Sequence, residues 1–137
     1  MKEAREFTML TAKDELGPKL GRYLEQLTQG KYSEVLVDDN LNPMIVHESK
    51  PNDPISPNEL SKGALDQLYL AARLAICDLI FPEKCLPLFM DDPFVTFDPN
   101  RRDAALELCK ELSEDRQIIL YTCHEGYDEF ADRVIEL

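Results

Sequence analysis

What this sequence lacks narrows it first. No stretch fits G-x-x-x-x-G-K-[ST]. Gly30-Lys31 comes nearest, but Tyr32 follows it, the earlier glycine is missing and a strand-like run comes next. The chain therefore holds no phosphate-cradling loop of its own. None of the cysteine pairs among Cys77, Cys85, Cys109 and Cys123 has C-x-x-C spacing, and the two histidines lie far from any cysteine pair, Cys123-His124 being a lone neighbour, so a zinc site is not expected. Buried thiols in a reducing cytosol are the expectation instead. Basic residues are outnumbered, 15 against 27 acidic, for a formal net charge of −12. With no basic stripe to offset this, the surface repels a phosphate backbone, which argues against direct DNA binding by this chain. No apolar run approaches membrane-spanning length. The charged start Met1-Lys2-Glu3-Ala4-Arg5-Glu6 has no apolar signal-peptide core, so a cytoplasmic location is expected. Internal repeats and low-complexity tracts are also missing.

What is present suits one domain. The chain has 137 residues, 44% of them hydrophobic, enough for a real core. Residues 2 to 29 are mixed-charge helix formers, and Gly17-Pro18 predicts two helical pieces or a kink. Leu20, Tyr23, Leu24 and Leu27 share one face, and Gly30 reads as the C-cap. A start inside a helix suggests a longer parent protein upstream, with a coiled-coil arm entering here. Glu34 to Val37 and Met44 to His47 read as a β-hairpin around Asp38-Asp39-Asn40-Leu41-Asn42-Pro43. Residues 48 to 58, with three prolines, read as a loop.

From residue 60 the order is helix, strand, helix, strand, the pattern of an α/β fold with a parallel sheet. Ser61 caps a helix that carries Leu65, Leu68, Ala72, Ala75, Ile76 and Leu79 on one face, and Pro82 closes the segment. Leu86 to Met90 is an apolar run, as in a strand covered on both faces. Asp98-Pro99 opens a helix with Ala105, Leu108, Cys109 and Leu112 on its apolar face. Gln117 to Tyr121 reads as a second buried strand, and Arg133 to Leu137 as a possible last one.

Several residues carry chemistry. Asp91 ends a buried parallel strand, where α/β proteins bind ligands, and a carboxylate there can hold Mg²⁺ through water near nucleotide phosphates. Asp92 can orient or deprotonate an attacking water. Two adjacent acids read equally as the start of a solvated loop. Ser61 and Gly63 place a hydroxyl and backbone N–H groups at a helix N-terminus, an anion site by dipole and unpaired donors, or simply an ordinary cap. His124 follows the second strand and can reach a γ-phosphate or the attacking water; alone it reads as a surface histidine. Gln67, Tyr69 and Arg73 read as partly structural, and His47 has no supporting context.

Order and spacing join these signals. Leu60-Ser61-Lys62-Gly63-Ala64 resembles the signature motif of ABC-type ATPase heads of the SMC, RecN and YhaN-like kind. Leu86 to Asp92 resembles Walker B, with Asp91 in the Mg²⁺ position. Pro93 to Asp98 resembles the D-loop, and His124 the switch histidine. The run Gln67-Leu68-Tyr69-Leu70-Ala71 with Arg73-Leu74-Ala75 is especially similar to YhaN-like proteins, and the resemblance covers about residues 20 to 137. One departure is Asp92, where the family usually has Glu.

The resemblance implies an α/β fold: the C-terminal lobe of an ABC-type P-loop ATPase head, with parallel strands and flanking helices preceded by a helix and a small β-hairpin. It implies residues 1–30 as the end of a coiled-coil arm and 31–137 as the head lobe. It implies Asp92 and His124 as catalytic, Ser61, Lys62, Gly63 and Asp98 as nucleotide-binding, and Asp91 as the metal residue. ATP and Mg²⁺ would be bound by the complete head. The implied partners are the N-terminal P-loop half of the same parent and a second head, with DNA contacted only indirectly and no membrane. Two rivals stay open: a metal-dependent phosphohydrolase or nuclease using Asp91, Asp92, Asp98 and His124, and a non-catalytic structural domain.

Overall fold

The computed structural model describes residues 2–47, 49–82 and 86–136. They form two compact units, Met1–Pro82 and Glu83–Leu137. In the first, helix α1 (Lys2–Leu27) is followed by strands β1 (Glu34–Val37), β2 (Pro43–His47) and β3 (Lys50–Ile55), a short 3-10 turn (Pro57–Glu59) and helix α2 (Lys62–Ile80). The second holds β4 (Leu88–Asp91), α3 (Pro99–Leu112), β5 (Ile118–Tyr121) and a 3-10 turn (Asp128–Phe130).

Gly17-Pro18 does not divide α1, which runs unbroken with Pro18 inside it. Proline in a helix interior costs about 3 kcal/mol. Each fully buried leucine contributes roughly 1.5–3 kcal/mol, and Leu20, Leu24 and Leu27 on this helix are all buried. Burial wins, and Pro18 sits on the exposed side. The glycines have a different purpose from chain breaking. A Cβ on Gly17 would stand 2.9 Å from the Val35 carbonyl oxygen, and one on Gly21 2.8 Å from that of Ser33. Spaced four apart, the two glycines let α1 lie directly against the β1 backbone. Gly30, in the left-handed region at φ 82°, closes the helix by donating its N–H to Glu25 O at 2.8 Å.

α1 also packs on α2. The buried face of α2 is Gly63, Ala64, Gln67, Leu68, Ala71, Leu74 and Ala75, rotated from the expected one. Only Leu68 and Ala75 of the expected stripe are buried; Leu65, Ala72 and Leu79 are half-buried and Ile76 is exposed. The reason is steric: small residues admit the neighbouring helix closely, so they face α1 in place of the bulkier row. Gln67 is buried in this contact because its Nε2 donates to the Leu27 carbonyl, and the Tyr23 hydroxyl donates to Asp78.

The three strands form an antiparallel sheet in the order β1-β2-β3. The expected hairpin is thus extended by a third strand, where residues 48 to 58 read as a loop. Lys50 pairs with His47 and Ile55 with Ile45, with a register shift between them. Pro51 and Pro54 both lie within β3. β3 is an edge strand, and an edge tolerates residues without an N–H. The β1–β2 turn is held by Asp38, whose carboxylate accepts from the amides of Asn40 and Asn42, each at 2.8 Å. Its bonds from Asn42 lower the Asp38 pKa.

In the second unit β4 and β5 pair in parallel, Leu88 opposite Ile118 through Asp91 opposite Tyr121, with α3 as the crossover. The core gathers Phe94, Ala104, Ala105, Leu106, Leu108 and Tyr127, with the Phe94 ring 5.5 Å from Phe97 and 6.3 Å from Tyr127. Of the face expected on α3, Ala105 and Leu108 are buried, while Cys109 and Leu112 are half-buried. Burial pushes the Cys109 thiol up to about 12. Two expectations fail here. Among the described residues the strands are not covered on both faces, since Phe89 is 64% and Tyr121 48% exposed. Residues 133–136 form no strand: Val134 and Ile135 are exposed and make no ladder among the described residues, while Leu137 lies outside them. An apolar pair becomes a strand only where another strand offers a register to join.

The close approach of α1 to β1 is testable by Gly21→Ala. On an isolated helix this change would stabilise by up to about 1 kcal/mol. Here the added carbon meets backbone that cannot swing aside, and a net loss of about 1–3 kcal/mol is expected in urea unfolding. A gain would show that the two elements are not in this contact.

The helix caps give a second test. Asp98 accepts from the Arg101 amide at 3.0 Å, whereas Ser61 accepts from the Ala64 amide at 3.4 Å. Asp98→Ala should cost about 1 kcal/mol and Ser61→Ala roughly half that or less. Equal costs in urea unfolding would make Ser61 a full structural cap.

Candidate functional site

The parallel pairing sets the carboxyl ends of β4 and β5 side by side, so the residues following each strand meet. Asp92 comes first after β4. Its N–H donates to Tyr121 O at 2.8 Å, carrying the ladder one residue further. Its φ is 41°, in the left-handed region that few residues other than glycine enter. Aspartate tolerates this better than most, at a cost on the order of 1 kcal/mol. That turn draws the Asp92 side chain towards the β5 end. Its Oδ1 is buried with no hydrogen-bond partner, and its Oδ2 accepts from the Cys123 thiol at 3.9 Å.

Beyond β5 the chain bends. The His124 N–H donates to Thr122 Oγ1 at 3.1 Å, which fixes the turn. Cys123 and His124 are both exposed. Ligand-capable atoms of Asp92, Cys123 and His124 lie within 4.8 Å of one another. Residues 92 and 124, read separately from the sequence, are thus neighbours. A carboxylate beside an imidazole at a strand end can accept a proton from a polarised water and orient it.

The remaining candidates are not in this cluster. Asp91 is the last residue of β4, exposed, and neighbouring residues of a strand point to opposite faces. It is not among the three clustered groups. Asp98 is engaged as the α3 cap and also meets Arg101 Nε at 3.2 Å. Ser61, Lys62 and Gly63 form the start of α2 in the other unit: Ser61 and Lys62 are exposed, Gly63 is buried. The amides of such a first turn have no intrahelical acceptors, so an exposed serine there fits an anion.

Cys123 was missed by the sequence reading. Set beside His124, it looked like an isolated neighbour without a second cysteine. The signal was the parallel pairing: once Asp91 is opposite Tyr121, residues 92 and 123 must come close.

No family model matches the chain. Among individual proteins, YhaN of Bacillus subtilis (strain 168) is 37% identical over 109 residues, covering 77% of this chain and 11% of that protein. The DNA double-strand break repair Rad50 ATPase of Methanocaldococcus jannaschii is 29% identical over 87 residues, covering 64% of this chain and 9% of that protein. The chain thus spans about a tenth of the length of these relatives. Among solved structures, an SMC ATPase superposes with a TM-score of 0.73 at 18% identity, over 99% of this chain and 81% of that one. The SMC head domain of Thermotoga maritima gives 0.67 at 19%, over 94% and 45%. The mixed α/β architecture, with its antiparallel sheet and its parallel β4–β5 pair, is that of the SMC head's C-terminal lobe. By fold and by sequence kinship, the chain belongs to the SMC/YhaN-like head family.

Proposed function

We propose that this chain supplies the hydrolytic and dimer-facing half of an ATPase head, and that its parent works ATP at a head-to-head interface. The observation that carries this reading is the meeting of Asp92 and His124 at adjoining strand ends. In this role Asp92 accepts the proton of the attacking water, and His124 contacts the γ-phosphate or that water. Asp91, an exposed hard oxygen donor at the strand end, fits the Mg²⁺ position. Mg²⁺, when bound, neutralises the charge developing on the phosphate oxygens. Asp is one methylene shorter than the usual Glu, so Asp92 has to be advanced towards its water, and its left-handed backbone alters where its side chain projects.

The phosphate cradle must come from elsewhere, because the sequence has none. The N-terminal half of the same parent is the fitting source, with residues 1–30 as the end of a coiled-coil arm joining the halves and 31–137 as the head lobe. Ser61, Lys62 and Gly63 then act in trans, on nucleotide held by a second head, and Asp98 lines the same interface. The exposed Ser61 hydroxyl, held by one long hydrogen bond, supports this. The SMC ATPase of like fold is described as dimerising under ATP and being activated by DNA. The same cycle here would serve DNA repair or chromosome maintenance, with DNA reached through other parts of the parent and all of it in the cytoplasm. Alone, this chain should be inactive and bind no ATP below millimolar concentration. Mg²⁺-dependent cleavage of DNA or a phosphoester by the chain alone would instead favour a free-standing hydrolase.

Mixing the chain with the P-loop half of its parent should restore Mg²⁺-dependent ATPase activity. Asp92→Asn should lower the turnover of that reconstituted head at least a hundredfold, the low end of what a positioned proton acceptor contributes, while leaving ATP binding intact. Normal turnover by Asp92→Asn would remove it from the mechanism.

Ser61→Arg places a bulky side chain at the start of α2. Sedimentation with ATP, in a hydrolysis-deficient background, should show loss of head dimers while thermal melting stays near wild type. Unchanged dimerisation would return Ser61 to a simple cap.

A further inference from the structure

We infer that Asp92, Cys123 and His124 form a binding site for Zn²⁺, and that Zn²⁺ held there shuts off the hydrolytic pair. The donors are a carboxylate, a thiol and an imidazole, the set that suits a borderline-soft dication; Mg²⁺ takes an octahedron of oxygens instead. The geometry is near what a tetrahedral ion needs. Bonds of about 2.0–2.3 Å to zinc place neighbouring ligand atoms about 3.5 Å apart, and here all three lie within 4.8 Å of one another. Cys123 and His124 sit on exposed backbone after β5, so side-chain rotation closes the difference, and water can take the fourth position.

A second observation points the same way. Asp92 Oδ1 is buried without a donor, while Oδ2 already meets the Cys123 thiol at 3.9 Å. A carboxylate with only one weak donor keeps most of its charge uncompensated, and a cation held beside Oδ2 neutralises it. Binding is balanced by release of the Cys123 thiol proton to solvent, since the thiolate is the ligand. Nothing is oxidised or reduced. The cysteines Cys77 and Cys109 lie outside the cluster, and the raised Cys109 thiol stays protonated.

The inhibitory part rests on the roles given above to Asp92 and His124; the binding part does not. Zn²⁺ occupying both side chains leaves neither free to accept a proton or meet a phosphate. Mg²⁺ would not substitute for Zn²⁺ at this trio.

The test is to titrate the 137-residue chain with Zn²⁺ against a chromophoric chelator, and with Co²⁺ followed by absorbance. One ion per chain is expected, with a thiolate-to-cobalt charge-transfer band. Cys123→Ser should abolish the band and weaken Zn²⁺ binding at least tenfold. His124→Ala should weaken it tenfold as well, while Cys109→Ser keeps both signals. Circular dichroism melting checks that the variants fold, and His124→Ala decides the matter should Cys123→Ser not fold. Binding unaffected by both substitutions, or a band that persists in Cys123→Ser, overturns the site. In the reconstituted head, Zn²⁺ should inhibit wild type at least tenfold more strongly than Cys123→Ser, each relative to its own zinc-free rate. Equal inhibition overturns the inhibitory role. Zinc binding by the chain without any ATPase activity on reconstitution would sink the hydrolytic reading and the inhibition with it, and leave the metal site standing.

Discussion

The pairing of β4 with β5 is the constraint on which the chemistry depends. Parallel strands must be joined by a long crossover, and α3 supplies it. Parallel strands also end on the same side, so one register decides which residues meet beyond them. With Asp91 opposite Tyr121, Asp92 has to lie beside the residues that follow β5. A slip of one residue would turn every side chain of the strand to the other face and part Asp92 from His124. The ladder bond from the Asp92 amide to Tyr121 O extends that register into the site itself. The left-handed turn at Asp92 is the local strain this arrangement sustains.

The first unit answers to a different constraint, the closeness of α1 to its neighbours. Gly17 and Gly21 remove side chains where the helix meets the β1 backbone. Alanines and Gly63 do similar work on α2, and Gln67 fastens the two helices by donating to the end of α1. This packing holds the start of α2 in place, and with it Ser61. A helix N-terminus makes a useful anion site only when the helix behind it is rigid. The bulkier row of α2, with Tyr69 and Ile76 exposed, remains outside this contact.

Element types were largely legible in the sequence, because they follow from local chemistry. Asp98-Pro99 announced a helix start by side-chain capping and a preset φ, and Asp98 does accept from the Arg101 amide. The apolar runs near 88 and 118 announced strands. Local rules failed where distant contacts outweighed them. Pro18 lies inside α1 because leucine burial exceeds the proline penalty, and Pro51 and Pro54 lie in β3 because an edge tolerates them. The helical stripe on α2 was misplaced because apolarity was counted and size was not.

The sequence by itself determined the helices and most of the strands, the acidic surface, the absence of a phosphate cradle and the identity of the chemical groups at residues 61, 91, 92, 98 and 124. Those features depend on residue type and near neighbours alone. Only the tertiary structure decided which groups share a site. It brought Asp92, Cys123 and His124 together and left Asp98 to its helix cap, because proximity across some thirty residues is set by strand register. It also decided which face each helix buries, since close packing selects for the size of side chains on both partners.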